Sequence, residues 1–299
     1  MNGVQYDPKK GFLFSLGGAL LLSTNFITVK YGLRGFNPET FSFVWTSSAA
    51  IYAFVIVLAS RDSRATMLPK GAAKAMLVMG ACTALGMILA WKGLSELDPA
   101  FASFIWRFLP VLSILSGVIL LREHLSVKEA LAMGIMLAGA LWSVVGRWDV
   151  VGTGVTLTLA AIFCGVLQLL IAKSQTHKVH PNVLVAYRVG IGSVLIACWV
   201  FASGTANFAA ETKYWYVTLL GAFLGPCASF LLTFRAYRYW TLSQSSLILS
   251  GQPLFTLPMA YIFLDTLPTT RELIGGCVIL AGAFWLAVIE LSKANQSKS

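Results

Sequence analysis

Charge is scarce in this chain. Only 11% of the 299 residues are Asp, Glu, Lys or Arg, against about 25% in soluble domains. The twelve acids, Glu39, Glu96, Asp98, Glu123, Glu129, Asp265 and Glu290 among them, fall in connections or near the ends of apolar runs. No carboxylate is placed at mid-membrane depth to carry a proton or pair with a bare cation, which argues against drug–proton antiport through a buried glutamate. Histidine is rarer still, and His124, His177 and His180 all belong to connections. The spacing of His177 and His180 reads as a solvated loop rather than a metal site. An intramembrane enzyme needs a nucleophile and base, paired acids or metal ligands gathered at one depth, and the sequence shows no such cluster. Catalytic residues, cofactors and metals are therefore not expected. The five cysteines, Cys82, Cys164, Cys198, Cys227 and Cys277, are odd in number and lie in apolar segments, so they read as packing residues rather than a disulfide framework. Long polar linkers are missing too, since the stretch around Arg61 to Gly71 only turns the chain.

What is present is apolar. Hydrophobic residues make up 57% of the chain and the mean hydropathy is +0.76, values that define an integral membrane protein. A spanning helix needs about 20 apolar residues. Runs of that kind are predicted at about 12–33, 40–60, 72–95, 100–121, 127–146, 151–174, 181–203, 213–238, 241–264 and 270–292, an all-α membrane protein of ten transmembrane helices. The first run is too long for a signal-peptide core and lacks a cleavage site, so it is kept as a helix. The net charge of +10 is spread over loops and helix ends without a basic stripe, which excludes nucleic acid as the expected partner and leaves a small-molecule substrate and membrane lipid. Of the basic residues outside helices, fourteen fall on the side of the termini and six opposite. The positive-inside bias then places both termini in the cytoplasm, in the cytoplasmic (inner) membrane.

The chain also repeats itself. A shift of 143 positions (253 − 110) puts Pro110 on Pro253, Glu129 on Glu272, and the LAGALW ending at Trp142 on the LAGAFW ending at Trp285. The same shift carries Gly11 onto Gly154, Asn25 onto Gln168, Lys30 onto Lys173 and Pro38 onto Pro181. One ungapped offset that registers prolines, a glutamate and lysines marks two tandem halves, 1–146 and 147–299. Each holds five predicted helices, an odd number, so the second enters the membrane inverted. Inverted repeats around a central cavity suit alternating access.

These residues resemble the EamA branch of the drug/metabolite transporter superfamily over nearly the whole chain. The resemblance is carried by Asn25-Phe26, Lys30 and Pro38, then Trp91 with Leu94, Pro110, Glu123 and the glycine-rich run into LAGALW, and in the second half by Pro181 with Arg188, Pro253 and LAGAFW. It implies a bundle in which helices 1 to 4 and 6 to 9 surround the cavity and helices 5 and 10 pack outside. The family often has an arginine where this chain has Trp45, the counterpart of Arg188 (188 − 143 = 45), and a glutamate near Asp265 and Thr266.

Candidate substrate-binding residues follow from polarity at depth. Arg107 and Arg188 each lie seven residues into a predicted helix, about 10 Å deep at about 1.5 Å per residue, where a guanidinium either meets an anion through two hydrogen bonds or serves helix packing. Asn25 and Gln168 are amides at equivalent places, suited to a shared cavity or to interhelical bonding. In the ninth helix Gln244, Ser246, Ser250 and Gln252 form an unusually polar face. Trp45 and Trp106 lie inside helices and are candidates to stack on substrate or to pack the core, whereas Trp91, Trp148, Trp215 and Trp240 fit an interfacial belt. Pro110 and Pro253 are candidate hinges or static kinks. The leading expectation is a secondary transporter of a small polar metabolite, an amino acid or organic anion, acting as exporter or exchanger. A flippase for lipid or lipid-linked sugar stands second and an intramembrane enzyme third.

Overall fold

In the computed structural model of the chain, the residues described are 7–60, 68–69, 71–97, 102, 105–106, 108–121, 126–144, 153–265 and 269–296. The helices are α1 (Pro8–Gly32), α2 (Pro38–Leu58), α3 (Ala73–Glu96), α4 (Phe108–Leu121), α5 (Val127–Val144), α6 (Thr153–Gln175) and α7 (Pro181–Ala202). They are followed by α8 (Thr212–Ala236), by α9 in two segments (Leu242–Ser250 and Gln252–Leu264), and by α10 (Thr270–Gln296). The described residues contain helices and no strand, as a chain in hydrocarbon requires when each backbone group must find a partner within its own segment. Six helices, α1, α2, α3, α6, α7 and α8, are long and apolar enough to cross a membrane. The fourth and ninth runs are interrupted, and the uninterrupted apolar stretches in α5 and α10 are shorter.

Helix starts repeat as the sequence does. Asn37 caps α2, its side chain accepting from the Thr40 amide at 2.8 Å, with Pro38 in the first turn. Its counterpart His180 caps α7, accepting from the Asn182 amide at 3.2 Å, with Pro181 in the same place. A proline there loses no hydrogen bond, and its fixed φ suits the helix.

The two halves interlock. α1 packs on α8 while α6 packs on α3, α2 pairs with α7, α4 with α9, and α5 with α10. Close approach rests on small residues, as expected where lipid removes the usual hydrophobic drive between helices. Gly11 lies against Trp240, and Gly154 against Leu97, so both partners are displaced by the same 143 positions. Direction follows from the ends. Lys30, near the end of α1, donates to the carbonyls of Leu94 and Leu97 at the end of α3. The start of α1 lies at the other side, where the Asp7 amide donates to the Tyr239 carbonyl just beyond α8. α3 and its counterpart α8 therefore run in opposite senses, and the repeat is inverted. The main core joins α1, α2 and α3 to α6, α7 and α8, while apolar side chains such as Leu58, Ile119, Ile262 and Phe284 stay exposed on the outside, a surface suited to lipid.

Candidate functional site

A cavity of about 120 Å³ lies between the halves, and most of its wall is apolar. Its lining follows the repeat. Leu22 and Gly165, Asn25 and Gln168, Phe26 and Leu169, Met87 and Phe230, Ala90 and Thr233, Trp106 and Leu249, and Leu109 and Gln252 are each 143 positions apart and all line it. The cavity straddles the pseudo-two-fold relation. Arg188 breaks it: Arg188 lines the cavity and its counterpart Trp45 does not.

Arg188 is fully buried. It donates through Nη1 to Gln168 Oε1 at 3.1 Å and through Nη2 to the Pro226 carbonyl at 2.6 Å, and its guanidinium lies 3.7 Å from the centre of the Phe230 ring. Its Nε has no partner among the described residues. The ion pairs found in the described residues, Lys10 with Asp7, Lys92 with Glu39 and Lys213 with Glu211, are all at helix ends. No carboxylate among the described residues lies in the cavity wall or pairs with Arg188. Pro226, whose carbonyl Arg188 uses, lies inside a π-turn of α8 at Phe223–Ser229, and its missing N–H leaves a carbonyl one turn earlier without its usual donor.

The amide oxygen of Gln168 is filled. This Oε1 also accepts from Thr83 Oγ1 at 3.0 Å, and the Nε2 of the same side chain donates to the Cys82 carbonyl at 3.3 Å. Asn25 meets the equivalent part of α8 differently, because Gly225 and Pro226 stand where the first half has Cys82 and Thr83. Its Oδ1 presses on Gly225, at the place a Cβ would occupy. Proline has no hydroxyl to offer, and this Oδ1 is buried without a donor among the described residues.

The fourth and ninth helices are both interrupted shortly before a proline. α9 breaks at Gly251, whose amide bonds back to the Ile248 carbonyl at 3.0 Å, two residues before Pro253. Before α4 the chain turns at Trp106, whose carbonyl accepts from the Leu109 amide at 3.1 Å, and Pro110 follows. Trp106 and Leu249 line the cavity at these two breaks. Each proline removes the amide that would have bonded to the carbonyl four residues earlier, so the turn tightens instead.

Of the residues singled out from sequence, Asn25, Trp106, Gln168 and Arg188 converge on the cavity. Trp45 is fully buried in an aromatic group, 5.2 Å from Phe41 and 5.8 Å from Trp91 between ring centres. Gln244 completes a capping box with Thr241 at the start of α9, accepting from the Thr241 amide at 3.1 Å. Ser246 is buried in that helix away from the cavity lining. Ser250 ends the first segment of α9, but its side chain, like the whole of Arg107, lies outside the described residues. Gln252 is the member of that polar face that lines the cavity, and Trp91 and Thr233 join it. The repeat counterpart of Trp91 is Phe234, which does not line the cavity, and the place of Trp91 near a helix end fits an interfacial belt equally well.

An interlocked, internally repeated helical bundle around a mostly apolar central cavity defines a multi-pass membrane transporter. The chain matches the EamA-like transporter family over residues 9–145 and again over 152–288. It belongs to that family, a branch of the drug/metabolite transporter superfamily. Among curated relatives, the uncharacterized transporter YxxF of Bacillus subtilis (strain 168) is 21% identical over 225 residues, covering 73% of this chain and 71% of the relative. The uncharacterized transporter sll1164 of Synechocystis sp. (strain ATCC 27184 / PCC 6803 / Kazusa) is 20% identical over 290 residues, covering 90% and 82%. A solved structure described only as "Crystal structure of protein" superposes with a TM-score of 0.73 at 17% identity, over 95% of this chain and 98% of that one, a likeness of fold.

Proposed function

We propose that this transporter moves a small metabolite bearing a carboxylate, an amino acid or organic anion, by alternating access across the cytoplasmic membrane, as an exporter or exchanger with both termini in the cytoplasm. The observation that carries the reading is Arg188, a buried cation in the cavity wall whose partners are neutral oxygens. Burying a charge without a counter-ion is costly, and a carboxylate entering the cavity competes with Gln168 and the Pro226 carbonyl for the guanidinium while supplying the missing charge. The breaks before Pro110 and at Gly251 supply the bending points, and the halves 1–146 and 147–299 are the units that exchange conformation.

Counterflow in proteoliposomes tests this. Labelled carboxylates are expected to exchange without an imposed pH gradient. Arg188→Gln is expected to lose that exchange while still eluting as a single species in detergent. Unchanged counterflow in that variant removes Arg188 from the site.

A further inference from the structure

We infer that the site selects a compact monoanion with an apolar body and without an ammonium group, in preference to the amino acid of the same skeleton. This rests on the carboxylate reading above and narrows it. Net charge is the first ground. The described cavity wall contributes one positive side chain, Arg188, and no carboxylate. In a low-dielectric setting a single negative charge neutralises it, whereas a zwitterion brings no net charge and leaves the site positive.

The apolar wall is the second ground. Phe26, Met87, Trp91 and Phe230 line the cavity, which suits an aliphatic or aromatic body rather than a sugar or a polyanion.

The test is counterflow with matched pairs in proteoliposomes: 4-methyl-2-oxopentanoate against leucine, and phenylpyruvate against phenylalanine. The oxo acid is expected to exchange roughly tenfold faster or more, since the zwitterion leaves the charge of Arg188 uncompensated. Asn25→Asp adds a carboxylate to the wall and, by balancing the charge of Arg188, is expected to narrow or reverse the ratio. If the amino acid exchanges as fast as its oxo partner in the wild type, the selection is overturned and the carboxylate reading survives. If no member of either pair moves, the carboxylate reading falls, and this one with it. The wild-type ratio decides by itself where Asn25→Asp does not fold.

Discussion

Lys30 and Lys173 perform the same task at opposite ends of the molecule. Lys30 Nζ donates to the carbonyls of Leu94 and Leu97 at 3.2 and 2.7 Å, and Lys173 Nζ to those of Tyr237 and Trp240 at 3.0 and 2.8 Å. All three positions of each set differ by 143. A helix leaves its last carbonyls without intrahelical donors and carries partial negative charge there, so an ammonium suits that end on both counts. Each lysine ties the first helix of its repeat to the end of the third.

Replacing either lysine by methionine is therefore expected to destabilise the protein by about 1.5–3 kcal/mol, the range for hydrogen bonds to a charged group. Thermal unfolding in detergent measures it. The two variants are expected to lose similar amounts and to add in the double variant, because they act at separate ends. A loss confined to one of them breaks the proposed equivalence.

Gly225 admits no side chain while Asn25 holds its present place. Gly225→Ala is expected to cost about 1–3 kcal/mol through overpacking. Combining it with Asn25→Ala should restore part of that loss, and a double-mutant cycle reads the coupling. Strict additivity would mean that the two side chains do not compete for the space.

Trp45 fills the core beside Phe41 and Trp91, with Gly221 closing on its ring. Trp45→Ala is expected to lower stability by about 3–5 kcal/mol, as for other buried aromatics. Substrate preference among matched analogues should persist in whatever folded protein remains. A changed preference with unchanged stability would bring Trp45 into the site after all.

His177, in the connection after α6, is held below its ordinary value of 6.5 first by burial and then by the charges of Lys173 and Arg238. The unfolded chain takes up this proton at higher pH than the folded one, so stability falls as pH drops below about 6.5 and levels off below the folded value. His177→Gln is expected to flatten that slope. Comparing melting temperatures at pH 7.5 and at pH 5.5 for both proteins checks the sign.

Much of the architecture is legible in the sequence because it depends on repeated local signals. Apolar runs of spanning length, Pro38 and Pro181 at helix starts, and a single offset place the helices and their inversion. Asn25 and Gln168 are legible for the same reason, since two amides at equivalent depth point to one axis. Trp45 and Gln244 show where such reading stops. Depth along a helix says nothing of rotation about it, and Trp45 turns toward Phe41 rather than the cavity. Thr241 followed three residues later by Gln244 is a capping-box pattern, yet polarity within an apolar run drew that glutamine toward the cavity instead. The π-turn at Pro226 had no counterpart to announce it, because its equivalent in α3 is Thr83.

The exchange of partners between the halves bears on how the protein is made. α1 lies on α8 and α3 on α6, so neither half covers its own buried faces. During synthesis α1 enters the membrane long before α8 exists, and its glycine-lined face waits among lipids or insertion machinery until the second half arrives. Halves expressed from separate messages should each be short-lived alone and persist when produced together.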